Sequence, residues 1–482
     1  MVFSSITFLF YFLPIAIIGY YVFSFSRVVQ NMWLLLVSLV FYAWGEPVFV
    51  FVMIGSILMN WLFGMLLGKV ENEPKKRKII LIVACCANLG LLGIFKYTNF
   101  IVDIIYSISG IEVLLKVPQI ALPIGISFFT FQAMSYVIDV YRHDAKVQKN
   151  PFYLGLYVAF FPQLVAGPIV RYNSIEEQIQ NRKTTFPMFS DGCCRFAVGL
   201  VKKILISNNM AMIADQIFSL ATAGSDVKVV PMMLAWLGAI AYTFQLYYDF
   251  SSYSDMAIGL GKMFGFTFEE NFNYPFISKS VREFMARWHI SLGTWFNQYV
   301  YRPLGGSRVE NQDIMVRNLF IVWLLTGVWH GAAWTFIWWG LYFFVLILIE
   351  KVLMFEKWEG HAVLKHIYTL VAVVFAMVIF RSNDMWHFSQ MALNMLALNG
   401  NGFFSETAVM ILKEYWPVFA AGIICLMPVK DYFKKWLGDR QIPAAVQTIG
   451  GTVYVVGLLS LLFFCVVVLA KGGYNPFIYF NF

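Results

Sequence analysis

Residues 319 to 349 read LFIVWLLTGVWHGAAWTFIWWGLYFFVLILI, a run of 31 residues without Asp, Glu, Lys or Arg. A helix needs about 20 apolar residues to cross the roughly 30 Å of bilayer hydrocarbon, so this run is too long for one ordinary span. We expect it to break between Gly327 and Gly331, because glycine weakens a helix. Non-helical backbone at membrane depth is tolerated only where it is buried in protein or borders a cavity. His330, between the two glycines, is therefore predicted to border a polar cavity inside the membrane.

The whole chain is rich in apolar residues and poor in charged ones. Its 482 residues are 60% hydrophobic and 13% charged, against about 45–50% and about 25% in soluble domains. We predict an all-α polytopic integral membrane protein with about 11 to 13 transmembrane or re-entrant helices. The apolar runs lie near residues 6–24, 31–45, 48–68, 79–95, 119–140, 152–170, 192–221, 229–248, 316–329, 332–349, 367–380, 408–427 and 447–470. The sequence shows no linker and no internal repeat, so a single membrane domain over residues 1–482 is expected.

Basic residues gather in short loops between the apolar runs. Lys plus Arg exceed Asp plus Glu by 35 − 27 = 8, and this distribution is the positive-inside pattern of a membrane protein, not a nucleic-acid footprint. Arg27 and the cluster from Lys69 to Lys78 predict two cytoplasmic loops and an N-terminus outside. The sidedness after about residue 170 stays open, because Lys202 and Lys203 lie within an apolar stretch where they could snorkel or face a cavity.

The ends and the longer connections are also predicted from composition. Residues 1–25 carry no charged side chain, so the first run is expected to remain as a transmembrane helix instead of a cleaved signal peptide. Residues 98–118 and 382–407 are predicted to be extramembrane or re-entrant. The last ten residues, which are rich in aromatic side chains, are predicted to form an anchor at a membrane interface.

Signatures of several other reaction classes are missing from the sequence. The six cysteines have no C-x-x-C spacing and no nearby His, so no metal site is predicted. The chain contains no H-E-x-x-H, no P-loop and no G-x-S-x-G motif. Zinc hydrolysis, nucleotide hydrolysis and serine-esterase chemistry therefore have no support.

His330 has two interpretations at this point. It could be a core histidine hydrogen-bonded between helices, or a functional group beside the predicted cavity. Burial disfavours the charged imidazolium, so the ring is expected to be neutral and able to accept a proton from a hydroxyl. A general base requires that property.

A second histidine, His289, lies in a stretch with a helical apolar stripe. The stripe consists of Val281, Phe284, Met285, Trp288, Leu292, Trp295, Phe296 and Tyr299. One amphipathic helix is predicted here, lying at the membrane interface with the stripe inward. His289 is at the edge of the stripe, where it could reach inward or snorkel to the interface.

Other charged residues near apolar runs have structural explanations. Asp249 and Asp255 would diverge by about 120° on a helix, so helix capping or a hydrogen-bond network is favoured over a carboxylate dyad. Lys96, Asp139 and Arg171 lie at the ends of apolar runs and are interpreted as topology anchors.

Short motifs follow one another along nearly the whole chain. They are MVFSS at 1–5, FYAWG at 41–45, PIGISFFTFQ at 123–132, FPQLVAGP at 161–168, YDFS at 248–251, RWHISL at 287–292, PLGGSR at 303–308 and GVWHG at 327–331. As an ordered set they resemble the membrane-bound O-acyltransferase (MBOAT) superfamily, in its bacterial branch of alginate and peptidoglycan O-acetylation proteins.

The resemblance implies a fold, a site and a set of partners. The fold is a ring of tilted helices around a thin centre pierced by a funnel or tunnel. The family's essential histidine corresponds to His330, and its second histidine, after Arg-Trp, to His289. The donor would be an acyl thioester such as acetyl-CoA on the cytoplasmic side, with no permanently bound cofactor. The acyl group would leave toward an extracytoplasmic polysaccharide, often through a partner acetyltransferase, at the bacterial cytoplasmic membrane.

Further residues near these motifs are predicted to line the substrate path. They are Trp329, Trp288, Asp249, Tyr253 and Arg287. Arg287 and Lys279 could attract coenzyme phosphates, although contact with anionic lipid is the favoured explanation.

Three functions remain in competition. The first is O-acetyl transfer to an exported polysaccharide, which the PLGGSR segment and the long part after residue 350 favour. The second keeps the fold and moves D-alanine from a carrier-protein thioester to teichoic acids. The third is a proton-coupled transporter or flippase, in which an intramembrane His and Asp would relay protons.

Overall fold

The computed structural model describes residues 1–110, 117–222, 229–309, 311–358, 360–438 and 443–478, and these form helices and connecting loops. The α-helices are α1 (Leu13–Val22), α2 (Arg27–Gly45), α3 (Phe49–Lys69), α4 (Pro74–Ser109), α5 (Ile126–Arg142), α6 (Pro151–Ala159), α7 (Phe161–Leu164), α8 (Tyr172–Asn181), α9 (Phe186–Val201), α10 (Asn208–Thr222), α11 (Met232–Met263), α12 (Val281–Arg287), α13 (Ile290–Phe296), α14 (Gln312–His330), α15 (Trp334–Val352), α16 (Ala362–Arg381), α17 (Met385–Met395), α18 (Glu406–Cys425), α19 (Val429–Leu437) and α20 (Ala444–Ala470). Short π-helical turns at Phe8–Phe12, Lys202–Ser207 and Asn297–Tyr301 extend α1, join α9 to α10 and extend α13.

The prediction of an all-α multi-pass membrane protein is confirmed. Within the described ranges, nine helical segments are long and apolar enough to cross a bilayer. They are Phe8–Phe25, Arg27–Gly45, Phe49–Lys69, Pro74–Ser109, Phe186–Ala221, Trp334–Val352, Ala362–Arg381, Glu406–Cys425 and Ala445–Ala470. Helix α11 lies inside this set and is buried along most of its 32 residues, so it forms the centre of the bundle.

The long apolar run breaks where the sequence predicts. Helix α14 ends at His330, Gly331 is extended, and α15 begins at Trp334. The glycines also serve packing, since a Cβ at Gly327 would lie 2.5 Å from the carbonyl oxygen of Phe336, and one at Gly340 would lie 2.4 Å from that of Trp323. The two helices therefore cross with backbone against backbone, as small residues allow in membranes.

The prediction of one amphipathic helix around His289 is wrong in one respect. The chain forms α12, breaks at Trp288 and His289, and continues as α13. The cause is the left-handed backbone of His289, with φ 46° and ψ 54°, which an α-helix cannot contain. The predicted stripe nevertheless faces inward, and all of its members except Met285 are buried.

The two connections predicted to lie outside the membrane contain regular structure. Helix α4 continues to Ser109, and α17 occupies much of 382–407, while residues 111–116 lie outside the described residues. Of the predicted C-terminal anchor, residues 475–478 are partly buried, and Tyr474 is exposed. Asn475 donates to the carbonyl oxygen of Ser4, and the ring centroids of Phe477 and Tyr253 lie 5.2 Å apart. Residues 479–482 lie outside the described residues.

Side-chain contacts link the basic cluster from Lys69 to Lys78 to other helices of the protein. Arg77, within the basic cluster, donates to the carbonyl oxygens of Val140 and Tyr141 at the end of α5. Arg142 donates to the carbonyl oxygen of Gln298, directly after α13. These contacts link the basic cluster, the end of α5 and the segment around Gln298.

Candidate functional site

A cavity of about 700 Å³ lies between α12, α13, α14 and α15. Both predicted histidines line it, and both are buried, with His289 3% and His330 4% exposed. Its lining on α14 is Met315, Leu319, Val322, Trp323, Thr326 and His330. These positions form one face of the helix, and at 1.5 Å per residue they span about 22 Å. The cavity is therefore a deep channel along α14 that reaches His330.

Aromatic rings enclose His330. Its ring centroid lies 4.8 Å from that of Trp339 on α15 and 5.3 Å from that of Phe380 on α16. Its Nδ1 atom is buried and has no hydrogen-bond partner among the described residues, and the same holds for the indole nitrogen of Trp339. Buried polar atoms without protein partners are rare and often mark functional sites. The imidazole therefore lies among apolar side chains, and its Nδ1 atom is available to hydrogen-bond a substrate.

His289 has a polar environment on one side of its ring. Nδ1 lies 3.1 Å from Oδ1 of Asn271 and 3.4 Å from Oγ of Ser291. The other nitrogen, Nε2, is buried without a partner in the described part of the chain. On its apolar side the ring meets Phe250 edge-on, with centroids 4.6 Å apart. One ring nitrogen is therefore held by the protein, and the other is unpaired.

Trp329 lies between the two histidines. Its ring centroid is 5.9 Å from that of His289 and 5.1 Å from that of His330. It does not line the cavity, and it packs instead against Phe128 and Phe131 of α5. Trp288, also predicted to line the substrate path, does line the cavity. Trp288 therefore lies in the cavity wall, and Trp329 lies behind that wall.

Lys96 and Tyr97 cap the end of α14, which sequence reasoning missed. Nζ of Lys96 donates to the carbonyl oxygen of Trp329 and, at 3.0 Å, to Oγ of Ser127. The hydroxyl of Tyr97 donates to the carbonyl oxygen of Val328 at 2.6 Å. The last carbonyls of a helix lack internal partners and carry partial negative charge, so a buried ammonium fits there. Lys96, only 6% exposed, is therefore part of the core and not the topology anchor predicted.

The other end of the cavity is basic. Arg282, Lys351 and Lys357 line it, and all three are exposed. Asn297 and Tyr301, beside Gln298, also line the cavity. Lys351 directly follows Glu350 at the end of an apolar run, a position that on sequence alone is indistinguishable from an ordinary snorkelling lysine.

Besides Trp329, three residues predicted to line the substrate path lie elsewhere. Asp249 forms a buried ion pair with Lys203, at 2.6 Å. Tyr253 is buried against Phe3, with ring centroids 4.5 Å apart. Arg287 pairs with Glu283 on its own helix and is absent from the cavity lining.

Asp255, the second aspartate near the apolar run, is also paired. Asp255 accepts from Lys202 and Arg195, each at 2.9 Å. Lys279 is exposed and does not line the cavity. These contacts agree with the structural role expected for Asp249 and Asp255. Lys202 and Lys203 are held in ion pairs and do not line the cavity.

These features define a multi-pass α-helical membrane protein with a histidine-lined internal channel. The model of the MBOAT, membrane-bound O-acyltransferase family matches residues 115–380, which include both histidines and most of the channel. The chain belongs to this family, and it is an O-acyltransferase. Membership sets aside the transporter and flippase alternative.

Three curated relatives match the chain over 60% to 100% of their own length. The chain is 39% identical to the probable alginate O-acetylase AlgI of Pseudomonas putida, over 100% of both chains. It is 34% identical to the peptidoglycan O-acetyltransferase of Helicobacter pylori, over 96% of this chain and 89% of that protein. It is 30% identical to the teichoic acid D-alanyltransferase of Bacillus subtilis, over 49% of this chain and 60% of that protein.

Proposed function

We propose that the protein transfers an acetyl group from acetyl-CoA, bound from the cytoplasmic side of the bacterial inner membrane, to an exported cell-surface polysaccharide or to a partner acetyltransferase. The observation that carries this proposal is the channel itself. It begins at three basic side chains and ends at His330. A donor with a charged head and a long thin arm that ends in a reactive thioester fits those two ends.

The chemistry requires little beyond positioning and proton transfer. An acceptor hydroxyl attacks the thioester carbonyl, the new C–O bond forms, and the C–S bond breaks. His330 accepts the hydroxyl proton and returns it to the departing thiolate, so that ester and free thiol are the products. General-base assistance of this kind contributes about 10² to 10⁴ in rate. The aromatic wall of Trp339 and Phe380 keeps bulk water from competing for the thioester.

His289 assists from the other side of Trp329. Its unpaired Nε2 and its place on the same cavity wall support a second role in binding or proton transfer. We propose that it accepts a hydrogen bond from the acceptor hydroxyl or relays the proton. No metal and no resident cofactor enters this mechanism.

The acetyl cargo is favoured over D-alanine. The relatives named for O-acetylation match the chain over nearly its whole length, whereas the D-alanyltransferase of Bacillus subtilis matches about half of it. A CoA donor also suits the basic mouth, because its nucleotide carries phosphates. The acceptor is proposed to reach the histidines from the extracytoplasmic side, presented as polysaccharide or through a partner acetyltransferase.

The test is replacement of His330 in cells, with ester-linked acetate on the surface polysaccharide as the readout. The His330→Ala variant should insert normally and lose the base-labile acetyl groups. His387→Ala, a histidine outside the channel, serves as the matched control and should retain them. Purified protein in nanodiscs, supplied with acetyl-CoA or with a D-alanyl carrier thioester, distinguishes the two cargoes. Intact surface acetylation in the His330→Ala strain would overturn the assignment.

A further inference from the structure

The segment that carries His289 is held from outside its own helix. Asn271, on the connection between α11 and α12, is fully buried and contacts the break after α12 at several points. Its backbone carbonyl accepts from the amide of Ile290 at 2.9 Å. Its side-chain Oδ1 lies 3.2 Å from the amide nitrogen of Ser291 and 2.9 Å from Oγ of the same residue.

These contacts fix the orientation of the Asn271 amide. A backbone N–H can only donate, so the side-chain atom facing the amide of Ser291 is the oxygen. The amide nitrogen then faces Ser254, where it donates to Oγ at 3.1 Å. Such assignments are made from the hydrogen-bond network, and here both ends of the amide have a matching partner.

The orientation of Asn271 determines the proton on His289. Nδ1 of His289 lies 3.1 Å from the same oxygen, and an oxygen that accepts requires a donor opposite it. The other neighbour of Nδ1, Oγ of Ser291 at 3.4 Å, donates its proton to Oδ1 of Asn271 at 2.9 Å. Nδ1 therefore carries the proton in the neutral ring, and Nε2 carries the lone pair. Nε2 is the atom left without a partner among the described residues.

We infer that Asn271 is a positioning residue for His289, holding the imidazole as the Nδ1–H tautomer so that the lone pair of Nε2 is available to a substrate in the channel. The role of Nε2 toward a substrate rests on the proposed function. The tautomer itself is a property of the protein without substrate. The strained backbone of His289, with φ 46°, agrees with this role. Left-handed conformations are unfavourable for residues other than glycine and persist where neighbouring contacts impose them.

Nitrogen NMR of the purified protein in nanodiscs tests the tautomer without any turnover. The six histidines are labelled with ¹⁵N, and the His289 signals are assigned by their loss in His289→Gln. We expect Nδ1 to have the shift of a protonated nitrogen and Nε2 that of an unprotonated one. The opposite pattern in the wild-type protein would overturn the inference, whatever the variants do.

Two substitutions of Asn271 separate positioning from folding. Asn271→Leu removes the acceptor, and we expect loss of the fixed tautomer, with kcat reduced about 100-fold or more and KM for acetyl-CoA within about twofold. Asn271→Asp keeps an oxygen acceptor and should keep Nδ1 protonated and most of kcat. Ser254→Ala removes only the partner of the amide nitrogen and should behave as Asn271→Asp does.

Failure of the positioning role of Asn271 can be distinguished from failure of the proposed acetyl transfer. If the wild-type protein transfers no acetyl group, the proposed function fails while the NMR result stands on its own. If the wild-type protein is active and a folded Asn271→Leu protein retains wild-type kcat, the positioning role is overturned. Should Asn271→Leu not fold, the wild-type spectrum together with that of Asn271→Asp still decides.

Discussion

The ammonium group of Lys96 donates a hydrogen bond to the backbone carbonyl of Trp329, the residue immediately before His330. The same ammonium lies 5.7 Å from the centroid of the Trp329 indole ring. Helix α4 therefore fixes both the backbone and the side chain that precede the candidate base. A buried lysine is costly inside a membrane, and this contact gives a physical reason for its presence.

Replacing Lys96 with Met should reduce kcat by about 10- to 100-fold, because a shift of about 1 Å in a reacting group can cost that much. Methionine keeps an unbranched side chain that is one atom shorter, but the carbonyl oxygen of Trp329 and the hydroxyl of Ser127 lose their donor. The measurement is thiol release from acetyl-CoA in nanodiscs, normalised to monodisperse protein.

Two controls accompany the Lys96 experiment. Lys96→Arg keeps a cationic donor and should retain more activity than Lys96→Met. Tyr97→Phe removes only the neutral hydrogen bond to the carbonyl of Val328, worth about 1 kcal/mol of stability, and should change kcat little. A folded Lys96→Met protein with wild-type kcat would show that α14 orients His330 unaided.

His289 and His330 should behave as one unit. If both act on the same reaction step, His289→Gln and His330→Gln each lower the rate by about 10² to 10⁴. The double variant should then be only a few-fold slower than the more damaged single variant, since groups acting together are strongly non-additive. Initial rates at saturating acetyl-CoA provide the measurement. Losses that multiply would indicate independent roles and contradict the shared site.

The basic mouth should affect donor binding but not chemistry. Lys351→Gln and Lys357→Gln should each raise KM for acetyl-CoA by up to about fivefold, since exposed charge pairs contribute about 0.2–1 kcal/mol. The effect should shrink at high salt, and kcat should stay near the wild-type value.

A truncated donor makes this experiment specific. S-acetyl-pantetheine lacks the nucleotide phosphates, so its KM should be the same for wild type and both lysine variants. Lys279→Gln, an exposed lysine outside the channel, is the matched control and should leave both KM values unchanged. Equal effects of Lys279 and Lys351 would mean that the charges act only through the membrane surface.

Sequence alone predicts the broken helix at His330 because composition and glycine spacing are local properties. It does not predict the break at His289, since the residue that hydrogen-bonds there, Asn271, lies 18 positions earlier. The apolar stripe around His289 follows helical spacing and therefore favours one continuous helix. Tertiary contacts override that preference.

The prediction that Lys96 is a topology anchor is wrong for a related reason. It lies at the end of an apolar run, where a lysine normally marks the membrane surface. Helix α4 continues to Ser109, however, and the lysine lies within it. Its partner, the carbonyl of Trp329, is 233 positions away, so no local pattern could have identified the contact. Asp249 differs, because its pairing partner Lys203 was visible in the sequence as a second costly charge.

The pair of Lys203 and Asp249 should be a structural element and not a substrate contact. Their side chains are 3% and 1% exposed, and each also binds the C-terminal segment. Lys203 donates to the carbonyl of Pro476, and Asp249 accepts from the amide of Ile478. Lys203→Met or Asp249→Leu alone leaves an uncompensated buried charge and should cost about 3–5 kcal/mol of stability.

The double variant Lys203→Met/Asp249→Leu distinguishes a structural from a catalytic role. Removing both charges should recover much of the stability lost in either single variant, because the uncompensated charge is gone. Lys202→Met, whose partner Asp255 is 18% exposed, should cost less and serves as the control. Thermal unfolding in detergent, followed by fluorescence size-exclusion, measures all four proteins. If the double variant folds as well as wild type and retains kcat, Asp249 is structural; if it folds but is inactive, Asp249 contacts substrate after all.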